Sequence, residues 1–134
     1  MKYLLDTNVC ADYLNGRHVS VIERVQACRL GAIGISTIVE SELRYGVHRS
    51  LHERRNQARL EAFLAHFELV PFDSKAAIAY GRLRSLLEAT GTPIRPNDLF
   101  IAAQALALKL VLVTDNSDEF KRVPGLSLDN WRRA

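Results

Sequence analysis

The sequence predicts a three-layer α/β/α fold, with a central parallel sheet of four or five strands flanked by helices. Three observations carry this. Short apolar runs alternate with longer segments whose apolar residues recur at helical spacing. The runs AIGIS and LVLVT are hydrophobic almost throughout, as strands covered on both faces are. Acidic and amide residues stand just after several runs, where parallel sheets gather their functional groups.

The elements follow in order. Residues 2–5 (KYLL) form a first strand that stops at Asp6. Residues 7–15 are helical, with Val9, Tyr13 and Leu14 on the apolar side and Gly16 as a stop. Val21, Ile22, Val25, Cys28 and Leu30 space a second helix. Residues 32–36 form a buried strand, and Ser36 or Thr37 caps a helix running to Gly46 or beyond. Residues 52–66 give a charged amphipathic helix with Leu60, Phe63, Leu64 and Phe67 on its stripe.

ELVPF, residues 68–72, is the third strand. Asp73 or Ser74 caps a long helix to about Ala89, its stripe including Ala77, Ile78, Tyr80, Gly81, Leu83 and Leu87. TGTPIRPN is a loop, and Pro96 fits the first turn of the helix that follows, where no backbone donor is needed. That helix, DLFIAAQALALK, is apolar nearly all round and should be deeply buried. Residues 110–114 form a fourth strand, and a short last strand is expected near 126–128.

The 134 residues are treated as a single domain, 1–134, with no internal repeat or linker. Apolar residues at 48% and charged residues at 25% exclude a disordered chain. No apolar run approaches the length of a membrane span. Asp6 interrupts any reading of the first residues as a signal peptide, so a cytoplasmic protein is expected. Cys10 and Cys28 lack metal-finger and CxxC spacing and read as buried thiols. Net charge is only +3, but 14 of the 18 basic residues are arginine, whose planar fork suits phosphate. Exposed helices offer a second use for them, as partners of glutamates.

Asp6 follows the first strand directly, and Asp115 and Asn116 follow the fourth. Asp98 opens the apolar helix, and Glu42 lies about two turns into the helix after the second strand. The fold can therefore bring these separated positions to one sheet edge. Carboxylates crowded together need a shared proton or a cation between them. An oxygen-only set without histidine or cysteine favours Mg²⁺ or Mn²⁺ over Zn²⁺. Taken singly, each position also fits a plain helix cap or a helix-dipole partner.

LLDTNV at 4–9, SELRYG at 41–46, RPNDLFIAAQAL at 95–106 and LVTDNSDEFKRVPGL at 112–126 resemble the PIN-domain family, and within it the VapC ribonuclease toxins. The resemblance covers almost the whole chain, in order. It implies a PIN-like fold and a metal-dependent endoribonuclease in which Asp6, Glu42 and Asp98 hold Mg²⁺ or Mn²⁺. The fourth acidic position of the fullest pattern is Asn116 here, suited to a water or a phosphate oxygen, with Asp115 beside it as a substitute acid. Glu40 should face away from Glu42. Thr7, Asn8, Ser36 and Thr114 are candidate supporting donors, with caps and strand-end bonds as their alternative work. Tyr45 is expected in the core, and the histidines (18, 48, 52 and 66) at the surface.

Arg44, Arg49, Arg54, Arg55, Arg82, Arg84 and Arg95 are candidates for an RNA-facing rim, with Arg95, Arg44 and Arg82 foremost and Arg95 first. The resemblance further implies an RNA substrate, with tRNA a lead, a two-fold homodimer, and a VapB-type antitoxin through which DNA is contacted only indirectly. No membrane partner is expected. Two other functions stay open. A phosphoacceptor signalling module would use Asp73 after the third strand, but it wants an acidic neighbour for Asp6 and a lysine that are not evident. A PIN-like domain that binds RNA without cutting it is kept open by Asn116.

Overall fold

The computed structural model describes residues 1–133. Among them, five strands form one sheet in the order β3-β2-β1-β4-β5, and every neighbouring pair is parallel. β1 (Tyr3–Leu5) lies at the centre, between β2 (Ile33–Ser36) and β4 (Val111–Val113). In register, Leu4 pairs with Gly34 on one side and Leu112 on the other. β3 (Glu68–Val70) and β5 (Leu128–Asp129) close the edges.

Consecutive strand residues point to opposite faces, so the complete burial of both Leu4 and Leu5 requires cover on both sides of β1. The flanking helices supply it. α1 (Thr7–Leu14), α2 (Val19–Ala27), α3 (Thr37–His48) and α4 (Glu53–Leu64) form one connected group, and α5 (Ser74–Ala89) packs along α6 (Pro96–Leu108). A seventh short helix, α7 (Ser117–Phe120), follows β4. Fully burying a leucine or isoleucine such as Leu5, Ile35 or Ile101 contributes about 1.5–3 kcal/mol each.

The local reasons match the sequence at most elements. Asp6, Ser36 and Asp73 each accept a backbone N–H at the start of their helix. Pro96 opens α6, whose Leu99, Ile101, Ala102, Ala103, Gln104 and Ala105 are all buried. Gly16, at φ 65°, ends α1 in a left-handed conformation that suits glycine.

Several expectations are corrected. The second helix stops at Ala27, leaving Cys28 only half-buried and Leu30 exposed. Tyr45 is 63% exposed, because Leu43 and Val47 take the buried side of α3 and a residue two positions from each points elsewhere. Ile78 and Gly81 lie on the open side of α5. The third strand ends at Val70, before Pro71, and the last strand falls at Leu128–Asp129.

One buried polar element stands out. Gln104 on α6 accepts a hydrogen bond from Ser36 Oγ at 2.5 Å. It donates to the carbonyls of Val70 at 2.9 Å and Pro71 at 3.1 Å. It therefore ties α6 to the ends of β2 and β3. Gln104→Leu strands these partners, and the expected loss is about 1–3 kcal/mol, read from the urea midpoint.

Candidate acidic active site

The order of strands reverses across β1 and β4, and in such sheets the crevice lies beyond the carboxyl ends at that reversal. Asp6 ends β1 there, its backbone N–H bonded to the Val113 carbonyl at 2.9 Å. Asp6 is 6% exposed. Its Oδ1 accepts the Thr7 backbone N–H at 2.7 Å and its Oδ2 accepts the Thr114 hydroxyl at 2.8 Å. The two bonds fix the plane of the carboxylate. Burial nevertheless raises its pKa above the ordinary value, outweighing those bonds, with the Glu119 charge adding to the rise.

Glu42, on α3, accepts the Thr7 hydroxyl at 3.1 Å on Oε1. Burial raises its pKa too, and the charge of Asp6 adds to the effect, against the bonds from Thr7 and from Asn97 beside it. Asp98 stands in the first turn of α6. Burial, then the charges of Asp6 and Glu119, push it up to about 7. Asp6, at the end of β1, is thus within electrostatic reach of both Glu42 on α3 and Asp98 on α6.

The fourth acid is Glu119, which the sequence reading did not single out. Its Oε1 accepts the Arg95 backbone N–H at 2.8 Å and its Oε2 accepts the Asn116 side-chain amide at 2.6 Å. Burial opposes its charge, but these bonds and one from the Asp98 carboxyl hold its pKa below the ordinary value. Asp98 and Glu119 therefore pull each other's carboxyls in opposite directions, Asp98 upward and Glu119 downward. The signal for Glu119 in the sequence was slight, namely its place three residues after Asn116 and just before an apolar Phe120.

The other predicted residues divide. Thr7 and Thr114 hold site carboxylates directly. Asn116 positions Glu119 through its amide, and its backbone N–H bonds Thr114 Oγ1 at 3.0 Å. Ser36 is wholly buried, occupied with Gln104 and the start of α3. Asn8 is exposed at the start of α1. Asp115 turns away from the acids to Arg132 Nη1 at 2.8 Å and Asn130 Nδ2 at 2.9 Å. The Asn130 amide and the Arg132 guanidinium hold its carboxyl below the ordinary range.

Arg95 flanks the acids, and its charge acts on both Asp98 and Glu119. Arg44 is instead locked between Glu40 at 2.8 Å and Glu61 at 2.5 Å, which leaves its fork little freedom for phosphate. Arg82 is exposed and borders a groove between α5 and α6 with Ile78, Leu86 and Leu106. Arg84 pairs with Glu88. Asp73, the residue a phosphoacceptor module would need, caps α5 through the Ala76 N–H.

Oxygen-only donors at Asp6, Glu42, Asp98 and Glu119 have the chemistry of a hard-cation site. Among the described residues, no three acidic, histidine or cysteine side chains close on a common ligating point, and Asp6, Glu42 and Glu119 are bonded to protein groups instead. The carboxyls of Asp6, Glu42 and Asp98 are raised first by burial and then by neighbouring negative charge.

Comparison with known proteins identifies the family. Residues 3–126 match the PIN domain. The chain is 42% identical over 132 residues to ribonuclease VapC2 of Rickettsia felis, covering 98% of each. It is 37% identical over 131 residues to the tRNA(fMet)-specific endonuclease VapC of Salmonella typhimurium, again covering 98% of each. The crystal structure of DNA-bound VapBC from Salmonella typhimurium contains a chain that superposes with a TM-score of 0.93, at 37% identity and 98% coverage of both. Matched in sequence and in fold along nearly its whole length, this chain belongs to the PIN-domain family, in its VapC group.

Proposed function

We propose that this chain is a VapC-type toxin, an endoribonuclease that hydrolyses RNA phosphodiester bonds with Mg²⁺ or Mn²⁺. The observation that carries the reading is that Asp6, Glu42, Asp98 and Glu119, from four separate elements, gather at the sheet's carboxyl edge with each feeling the charge of at least one other. Asp6, Glu42, Asp98 and Glu119 would hold a divalent cation there, which would supply charge compensation, a water of lowered pKa and stabilisation of phosphate oxygens.

The chain's own residues supply orientation. Thr114 and the Thr7 N–H present the two oxygens of Asp6 in a fixed plane. Thr7 also holds Glu42, so one residue couples two of the acids. Asn116 and the Arg95 N–H aim Glu119. The exposed guanidinium of Arg95, beside the acids, is placed to meet a phosphate of the RNA backbone.

Relatives solved as VapBC complexes, two of them with DNA, support a VapB-type antitoxin as the controlling partner; a homodimeric toxin that reaches DNA only through that antitoxin is part of the same proposal. The Salmonella relative's name makes tRNA(fMet) the first substrate to try. No helix among the described residues is long and apolar enough to cross a membrane. A cytoplasmic site of action fits an RNA target.

The test is cleavage of labelled tRNA by purified toxin. EDTA should stop it, and Mg²⁺ or Mn²⁺ should restore it. Restoration by Zn²⁺ alone would overturn the metal assignment, and no cleavage of any RNA would overturn the enzyme. Arg95→Ala should weaken RNA binding and flatten its dependence on salt, as loss of one phosphate contact does. An unchanged salt slope would remove Arg95 from the RNA interface.

A further inference from the structure

Asp12 is the one strongly buried carboxylate outside the acidic site among the described residues, at 3% exposed. It lies on α1, the helix that Asp6 caps. Its partner is Arg132, far away in sequence. Asp12 Oδ2 accepts Nε at 2.7 Å and Oδ1 accepts Nη2 at 3.1 Å, a two-pronged pair. The remaining guanidinium nitrogen, Nη1, reaches Asp115 Oδ2 at 2.8 Å. A single planar group therefore joins α1 to the turn between β4 and α7.

That turn carries the supports of two site acids. Thr114, on one side of Asp115, holds Asp6. Asn116, on the other side, holds Glu119 and closes the turn onto Thr114 Oγ1. Arg132 is itself fixed. Its N–H bonds Asn130 Oδ1 at 3.0 Å, its carbonyl accepts Ser20 Oγ at 3.0 Å, and Trp131 beside it is buried edge-on to Tyr3 with centroids 5.0 Å apart. Asn130 also donates to Asp115, so the turn is held from two neighbouring residues.

We propose that Arg132 is a positioning residue: by clamping Asp12 to Asp115 it fixes the separation between Asp6 and Glu119, and so the geometry of the acidic site. This rests on the endoribonuclease reading above. Lysine cannot replace it, because an ammonium lacks the flat fork that serves Asp12 with two nitrogens and Asp115 with a third.

The experiment uses the full chain and three variants: Asp115→Ala, Arg132→Lys and Arg132→Ala. Asp115→Ala is the decisive one, since it leaves the buried Asp12–Arg132 pair intact and the fold secure. Each is assayed on labelled tRNA with Mn²⁺, and backbone hydrogen exchange is followed over residues 114–119 without metal. Asp115→Ala should lower kcat about ten- to a hundredfold, the cost of a small misplacement of reacting groups. KM and Tm should stay near wild type, and exchange over 114–119 should quicken. Arg132→Lys should show the same kcat loss. Wild-type kcat in Asp115→Ala and Arg132→Lys overturns the proposal, as does a loss confined to KM, which would make Arg132 an RNA contact. If the wild-type chain cuts no RNA, the enzyme reading fails separately. The clamp is then judged by exchange alone, and unchanged protection over 114–119 in Asp115→Ala and Arg132→Ala overturns it.

Discussion

Asp98→Asn should cut RNA at least about a hundredfold more slowly than wild type, while the metal-free protein becomes more stable at pH 8. Both halves come from one fact. The carboxyl of Asp98 is pushed up to about 7 by burial and by the charges of Asp6 and Glu119. At pH 8 it is ionised against that resistance, and an amide of the same shape removes the repulsion. A half-exposed group is screened by solvent, so the gain should be about 1 kcal/mol.

The sign with pH is fixed by linkage. Between the ordinary value of 3.8 and about 7, native Asp98 binds more proton than the unfolded chain does. Metal-free stability contributed by this group is therefore full below about 4 and falls as pH rises towards 7. Glu119, held low, contributes the opposite slope as pH falls below its ordinary value of 4.5. Urea midpoints in EDTA should show the advantage of Asp98→Asn in full at pH 8, in part at pH 5 and not at all below about pH 4. Undiminished cleavage by the purified variant would remove Asp98 from the reaction.

Phe120→Ala should cost about 3–5 kcal/mol, the usual range for emptying a large aromatic site in a packed core. Phe120 is completely buried and is the last residue of the four-residue α7. So short a helix has little stability of its own and is held by this anchor. Glu119 precedes the anchor and Asn116 caps the same turn, so the catalytic loss in Phe120→Ala should exceed what its unfolded fraction explains. Denaturant curves give the first quantity, and kcat per folded molecule gives the second. A stable variant, or a folded one with normal kcat, would show that α7 is held by something else.

The helices and strands were legible where one physical signal dominated. α6 is apolar on every side, and both its burial and its start at Pro96 follow from that. Asp6 and Asp98 were legible because each stands at an element boundary on the functional edge. Glu119 was not, because it follows Asp118, a fully exposed neighbour of the same type, in a helix too short to show a period. Asp115 looked like a site acid by adjacency alone, yet the chain turns there and its side chain leaves in the other direction. Its true partner, Arg132, and the pairing of Arg132 with Asp12 across 120 positions are tertiary facts with no local pattern. Tyr45 was misplaced for a simpler reason, since an aromatic in an apolar helix invites a core assignment that Leu43 and Val47 had already filled.

The four acids lie at positions 6, 42, 98 and 119, and the arginine that braces them lies at 132. Arg132 joins Asp12, 120 positions away, to Asp115, so the turn carrying the supports of Asp6 and Glu119 is completed only when α1, β4 and the chain around Arg132 have come together. Assembling this edge therefore demands closure of a long loop, a non-local and hence slow step of folding.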